Sequence, residues 1–185
     1  MYATVHFGMV LLFAVSGAQS APAPQRQTSG AFLLRMNDAV QRDLVEAAEL
    51  MPAEHYAFTA TSQTRPFGHT VAHIALSRFG SCSGLLGRDN PRQGEREDVP
   101  RTKAEAVALL EEAGALCPEA RKGLTDDSLL EFISIPGTKV AVQKGVFLAG
   151  EIAHGYEVYG TMAVHLRLNG LVPPTTARKT MKRIP

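Results

Sequence analysis

The sequence predicts an all-α protein built as a four-helix bundle, and three observations carry that prediction. Apolar residues recur at three- and four-residue steps in separate stretches, turn signals fall between the stretches, and no segment reads as a convincing strand. Composition agrees: there is no Trp, aromatic residues make up 6%, and Ala and Leu are abundant, which favours helices over a β-sandwich. At 185 residues the chain suffices for one domain with a substantial core and is short for two. With 19 Lys and Arg against 18 Asp and Glu, the net charge of +1 provides no field that steers the protein toward nucleic acid.

The first twenty residues contain no Lys, Arg, Asp or Glu, and the apolar run FGMVLLFAVSGA (7 to 18) ends in small residues. Ala18-Gln19-Ser20 fits a small-x-small cleavage site, so residues 1–20 read as a signal peptide and 21–30, APAPQRQTSG, as a linker. The alternative for the same run is an N-terminal membrane anchor, although it is short for a span. Either reading puts the folded part outside the cytoplasm, periplasmic or secreted, and no later segment is apolar for long enough to cross a membrane.

The first helix is expected over 31 to 52, where Leu33, Met36, Val40, Leu44, Ala47 and Met51 form one stripe that Pro52 stops. The second lies within 64 to 87, with Pro66 in its first turn, Phe67, Val71, Ile74, Ala75 and Phe79 on one face and Gly87 at its end. Residues 88 to 101 are charged, contain Pro and Gly and lack periodicity, so they are a loop. Thr102 and Glu105 make a capping-box pattern ahead of the third helix, AVALLEEAGALCPEA. Residues 124 to 142 read as a turn-like segment around Leu129 to Ile133 and an IPGT loop. The fourth helix runs from about Val142 to Leu168 and is capped by Asn169-Gly170. The bundle thus spans 31–176, followed by a basic tail, 177–185, read as solvent-facing.

The residues that bear chemistry are histidines. His69 and His73 lie four apart and share a face of the second helix, and His154 lies on the fourth. Facing helices of bundles are a common place to assemble metal sites, while such a pair serves equally as core or surface residues. His55 and His165 read as packing or surface residues, and Met36, Met51 and Met162 as core fillers. Ser77, Ser81 and Ser83 lack a nucleophile-elbow context, and no Gly-rich phosphate loop follows a strand.

RPFGHTVAHIA (65 to 75) and YGTMAVHLRLNGLVPP (159 to 174) resemble segments of the DinB-like superfamily, especially its exported members, and the resemblance covers roughly 31 to 176. It implies a bundle of up-down-down-up order. It also implies a divalent metal such as zinc or nickel, held by one histidine of the second helix, in a context like VAHIA, and two of the last, in a context like H-x-x-E-H-Y-G. His73 and His154 match the first two positions, and Glu157, Tyr159 and Gly160 match the rest of the string, but the third ligand position is Val158. In that topology the second and fourth helices are antiparallel, so one reading has His69 approach the position that Val158 vacates, giving a set of His69, His73 and His154. The alternative is that His69 is a partly exposed first-turn residue and Val158 packs apolar surface.

Characterised relatives include thiol-dependent transferases and isomerases, in which the metal activates a small thiol. With one ligand missing, the expected function is a non-catalytic or weakly metal-binding module for a small ligand or an interaction. The alternative is a divalent-metal-dependent transferase or hydrolase. The partners expected are a small molecule and a second copy of the chain. The implied order also makes the second and third helices parallel, so Cys82 and Cys117, near their C-terminal ends, are expected to form a disulfide in an exported protein.

Overall fold

A computed structural model describes residues 27–135 and 138–181. The signal peptide, most of the linker and the last four residues of the tail lie outside the described residues. Helix α1 spans Ser29–Leu50, α2 Phe67–Leu86, α3 Lys103–Arg121 and α4 Lys144–Leu168. Local chemistry sets several of the ends. The Thr28 side chain accepts from the Ala31 N–H at the start of α1, and Thr102 and Glu105 close a reciprocal capping box on α3, each worth about 1 kcal/mol. Gly87, at φ 64°, ends α2 in a left-handed conformation that costs a glycine little.

Side-chain contacts establish the helix directions. Lys103 at the start of α3 bonds the Glu49 carbonyl at the end of α1, and Arg121 at the end of α3 meets Asp38, so α1 and α3 are antiparallel. Cys82 and Cys117, both late in their helices, are bonded to each other, so α2 and α3 run in parallel. Phe67, which opens α2, packs near His165 at the end of α4, making that pair antiparallel. The order is therefore up-down-down-up, as the resemblance implied. The interior is filled from all four helices by Val40, Leu44, Phe67, Ile74, Leu110 and Met162, each contributing about 1.5–3 kcal/mol on full burial.

A two-stranded hairpin and a fifth helix were not expected. Between Leu124 and the start of α4, strands β1 (Phe132–Ser134) and β2 (Ala141–Gln143) pair antiparallel, with Ile133 opposite Val142. Strands of three residues are too short to alternate visibly, and the pairing continues to the start of α4, where the Lys144 N–H donates to the Glu131 carbonyl and the two side chains form an ion pair. The start of the basic tail, as far as Met181, joins the residues before it in a fifth helix, α5, over Pro174–Met181. Arg178 pairs with Asp43 and Glu46 of α1, and the Tyr159 hydroxyl bonds both the backbone N–H and the side chain of Thr175. These long-range partners, absent from the local pattern, turn the tail into a clamp.

Close packing fixes the spacing of α4 at Gly155. A Cβ there would lie 2.9 Å from a Val40 methyl and 3.2 Å from Arg78 Nη2. Gly155→Ala should therefore lower stability by about 1–3 kcal/mol through overpacking, read from denaturant melts. A second measurement tests the cross-link. Titration of the denatured, unreduced chain should find no free thiol, and reduction should cost about 2–4 kcal/mol, because the bond closes a loop across a sequence separation of 35.

Candidate functional site

The antiparallel packing of α2 on α4 brings His73 and His154 side by side. Their Nε2 atoms are 3.1 Å apart, with the rings edge to face at 89°. Each ring is held from its other nitrogen. His73 Nδ1 is 2.5 Å from Glu97 Oε2, and His154 Nδ1 is 3.3 Å from Ser77 Oγ, one helical turn beyond His73 on α2. Glu97 in turn accepts from Arg65 Nε at 2.6 Å. A hydrogen-bonded chain thus runs Arg65, Glu97, His73, His154, Ser77, drawn from the approach to α2, the 88 to 101 loop and two helices.

Partial burial of Glu97 opposes its charge, but Arg65 and then His73 hold its carboxyl below the usual range. The His73 side chain is 25% exposed and that of Glu97 34%, so solvent reaches the chain at this end. One turn after His154, Val158 is 6% exposed and belongs to the apolar core. Glu157, matched to the family string, points to solvent.

His69 is placed elsewhere. It lines a cavity of about 300 Å³ with Tyr56, Pro66, Pro100 and Arg101. His165 is fully buried against Phe58 and Phe67, with Nδ1 bonded to the Thr161 carbonyl, and His55 is half-buried in a 3₁₀ turn. Sequence reasoning missed Glu97 and the role of Ser77. Glu97 lies in a loop of mixed charge without periodicity, 24 residues from its partner, and no local signal separates it from its neighbours.

The pair can be tested against the demands of a metal ion. The two Nε2 atoms are close enough that both would reach a single ion. Both imidazoles carry the outer-shell partners that metal-bound histidines use. The third requirement fails: among the described residues no group of three His, Cys, Asp or Glu side chains is placed to hold an ion. Two imidazoles fit, and a three-ligand centre does not.

Below the pair lies a buried polar layer. Arg78 of α2 and Arg121 of α3 both donate to Asn37 Oδ1 of α1, at 3.3 and 3.2 Å. Burial lowers the Arg78 pKa to about 10, helped by the charge of Arg121 and opposed by Glu151 and Asp38.

A family model described as the DinB superfamily matches residues 36–167. The fold is similar to the crystal structure of a DinB-like protein from Bacillus cereus, with a TM-score of 0.64 at 19% identity, covering 77% of this chain and 93% of that one. A DinB-like protein from Bacillus subtilis is similar at TM-score 0.60 and 18% identity, covering 75% and 92%. No curated protein matches the chain.

Proposed function

Because the chain belongs to the DinB superfamily, often metal-binding, yet has Val158 at one expected ligand position, we propose that it is a weakly metal-binding module for a small ligand or an interaction. His73 and His154 supply the two protein donors for a divalent ion such as zinc or nickel, and the chain performs no metal-dependent transfer. The observation that carries this reading is the replacement of a donor by a valine packed into the core beside an otherwise convergent pair. Catalytic zinc sites ordinarily keep three protein ligands and one open position. Two donors hold an ion loosely.

We also propose that the chain is exported, to the periplasm or beyond. The apolar leader and the bonded Cys82–Cys117 pair support this, since disulfides persist in oxidising compartments. A metal-dependent thiol transferase or hydrolase is the second reading, favoured by the intact outer-shell partners Glu97 and Ser77.

Calorimetric titration of the chelator-treated protein with Zn²⁺ and Ni²⁺ checks the first reading. One ion per chain should bind with a dissociation constant of micromolar order or weaker, corresponding to about −8 kcal/mol or less in magnitude, and His73→Ala or His154→Ala should abolish it. Nanomolar binding, or metal-dependent transfer of a thiol by the wild-type chain, would instead establish the enzyme. In a separate test, Val158→His should supply the missing donor. Its melting temperature should then climb with the logarithm of metal concentration, by the equivalent of about 2.7 kcal/mol at one hundred times the dissociation constant. A variant that folds and shows no such climb would place the third ligand elsewhere.

A further inference from the structure

The hydrogens along the Glu97–His73–His154–Ser77 chain are constrained by its end groups. An ionised carboxylate only accepts, so the 2.5 Å contact with Glu97 requires that His73 carry its hydrogen on Nδ1. A neutral His73 is then bare at Nε2, which faces His154 Nε2 at 3.1 Å. Two bare nitrogens repel at that distance, so either a hydrogen or a cation lies between them. If a hydrogen, it belongs to His154 Nε2, leaving His154 Nδ1 bare to accept from the Ser77 hydroxyl at 3.3 Å. If a cation, both Nε2 atoms must be bare, and the hydrogen of His154 moves to Nδ1, where Ser77 Oγ accepts it.

We propose that Glu97 and Ser77 are the positioning residues of this pair: Glu97 locks His73 in one tautomer, and Ser77 partners His154 in both, so that the gap between the rings exchanges a hydrogen for a divalent cation. A hydroxyl suits the second role because it both donates and accepts, whereas a carboxylate or an alkyl group at position 77 would serve one state or neither. Each neutral ring keeps one hydrogen throughout. Cation entry therefore shifts a hydrogen from His154 Nε2 to Nδ1 and releases none to solvent. The asymmetry has a structural source. Glu97 is paired with Arg65 at 2.6 Å and as a carboxylate only accepts, while the Ser77 end is a hydroxyl, which turns about its C–O bond to donate or accept.

The part of the inference that concerns cation entry rests on the proposed binding of an ion by His73 and His154. The tautomers of the metal-free protein do not. Long-range ¹H–¹⁵N correlation spectra of the ¹⁵N-labelled chain, in chelator and at a pH where the rings are neutral, should show His73 as Nδ1–H and His154 as Nε2–H. With Zn²⁺ added, His154 should switch to Nδ1–H and His73 stay unchanged. His73 found as Nε2–H in the metal-free protein would overturn the proposal, as would an unchanged His154 in protein shown by titration to be loaded. If Zn²⁺ does not bind at all, the functional reading fails, while the metal-free tautomers still decide the roles of Glu97 and Ser77. Ser77→Ala should weaken Zn²⁺ binding by about 10- to 100-fold, the usual cost of losing an outer-shell partner, and leave His73 as Nδ1–H. Glu97→Ala should release His73 into a mixture of tautomers. A Ser77→Ala chain that melts as wild type and binds Zn²⁺ equally well would assign Ser77 a packing role only and overturn its part.

Discussion

The close packing of α4 against α1 at Gly155 is the constraint on which the site depends. The residue next to His154 has no side chain, and the space a methyl would need is already taken by Val40 and by the Arg78 guanidinium. Helix packing is set by the side chains that separate the two axes. At Gly155 the side chains that meet α4 are Val40 of α1 and Arg78 of α2, and the neighbouring His154 faces His73 and Ser77, one turn apart on α2. A wider α4 would leave the rings out of hydrogen-bond range, and the chain from Arg65 to Ser77 would break at its centre. The histidine pair thus depends on how α4 is seated as well as on histidine chemistry.

The bundle itself was legible because its signals are local. The stripe Val40, Leu44, Ala47, Met51 is buried as read, the Thr102 and Glu105 capping box forms, and Gly87 ends α2. The residues that resemble the DinB-like superfamily supplied what periodicity lacks, the order of helices, and with it the level at which Cys82 meets Cys117. The hairpin was not legible, because three-residue strands with Phe132 69% exposed carry no apolar alternation. Helix α5 was hidden for a different reason. Its anchors, Arg178 on Asp43 and Glu46, span most of the chain, and a short basic segment looks the same whether or not it finds them. The site divides along the same line: His73 and His154 stand in recognisable strings, whereas Glu97 is identifiable only once the loop has folded back over α2.

The layer below the site shows that the interior is not uniformly apolar. Asn37, Arg78 and Arg121 are nearly excluded from solvent, and the amide oxygen of Asn37 accepts from both guanidiniums. Two like charges in one layer are unfavourable, and the lowered pKa of Arg78 records both burial and repulsion. What such a layer contributes is geometry. A planar fork and an amide accept few alternative arrangements, so α1, α2 and α3 are held in one register where purely apolar contacts would tolerate sliding. That register lies within one turn of Ser77.

The disulfide has a topological consequence. Cys82 and Cys117 close the chain into a covalent ring, and the 88 to 101 loop with Glu97 is part of its circumference. Loops ordinarily trade freedom of sequence against the entropy of keeping their ends together. A ring escapes much of that trade, since its ends cannot separate even when its own contacts fail. The segment that carries the carboxylate therefore stays tethered to the ends of α2 and α3, and loss of the Glu97–His73 contact alone would not part those two helices.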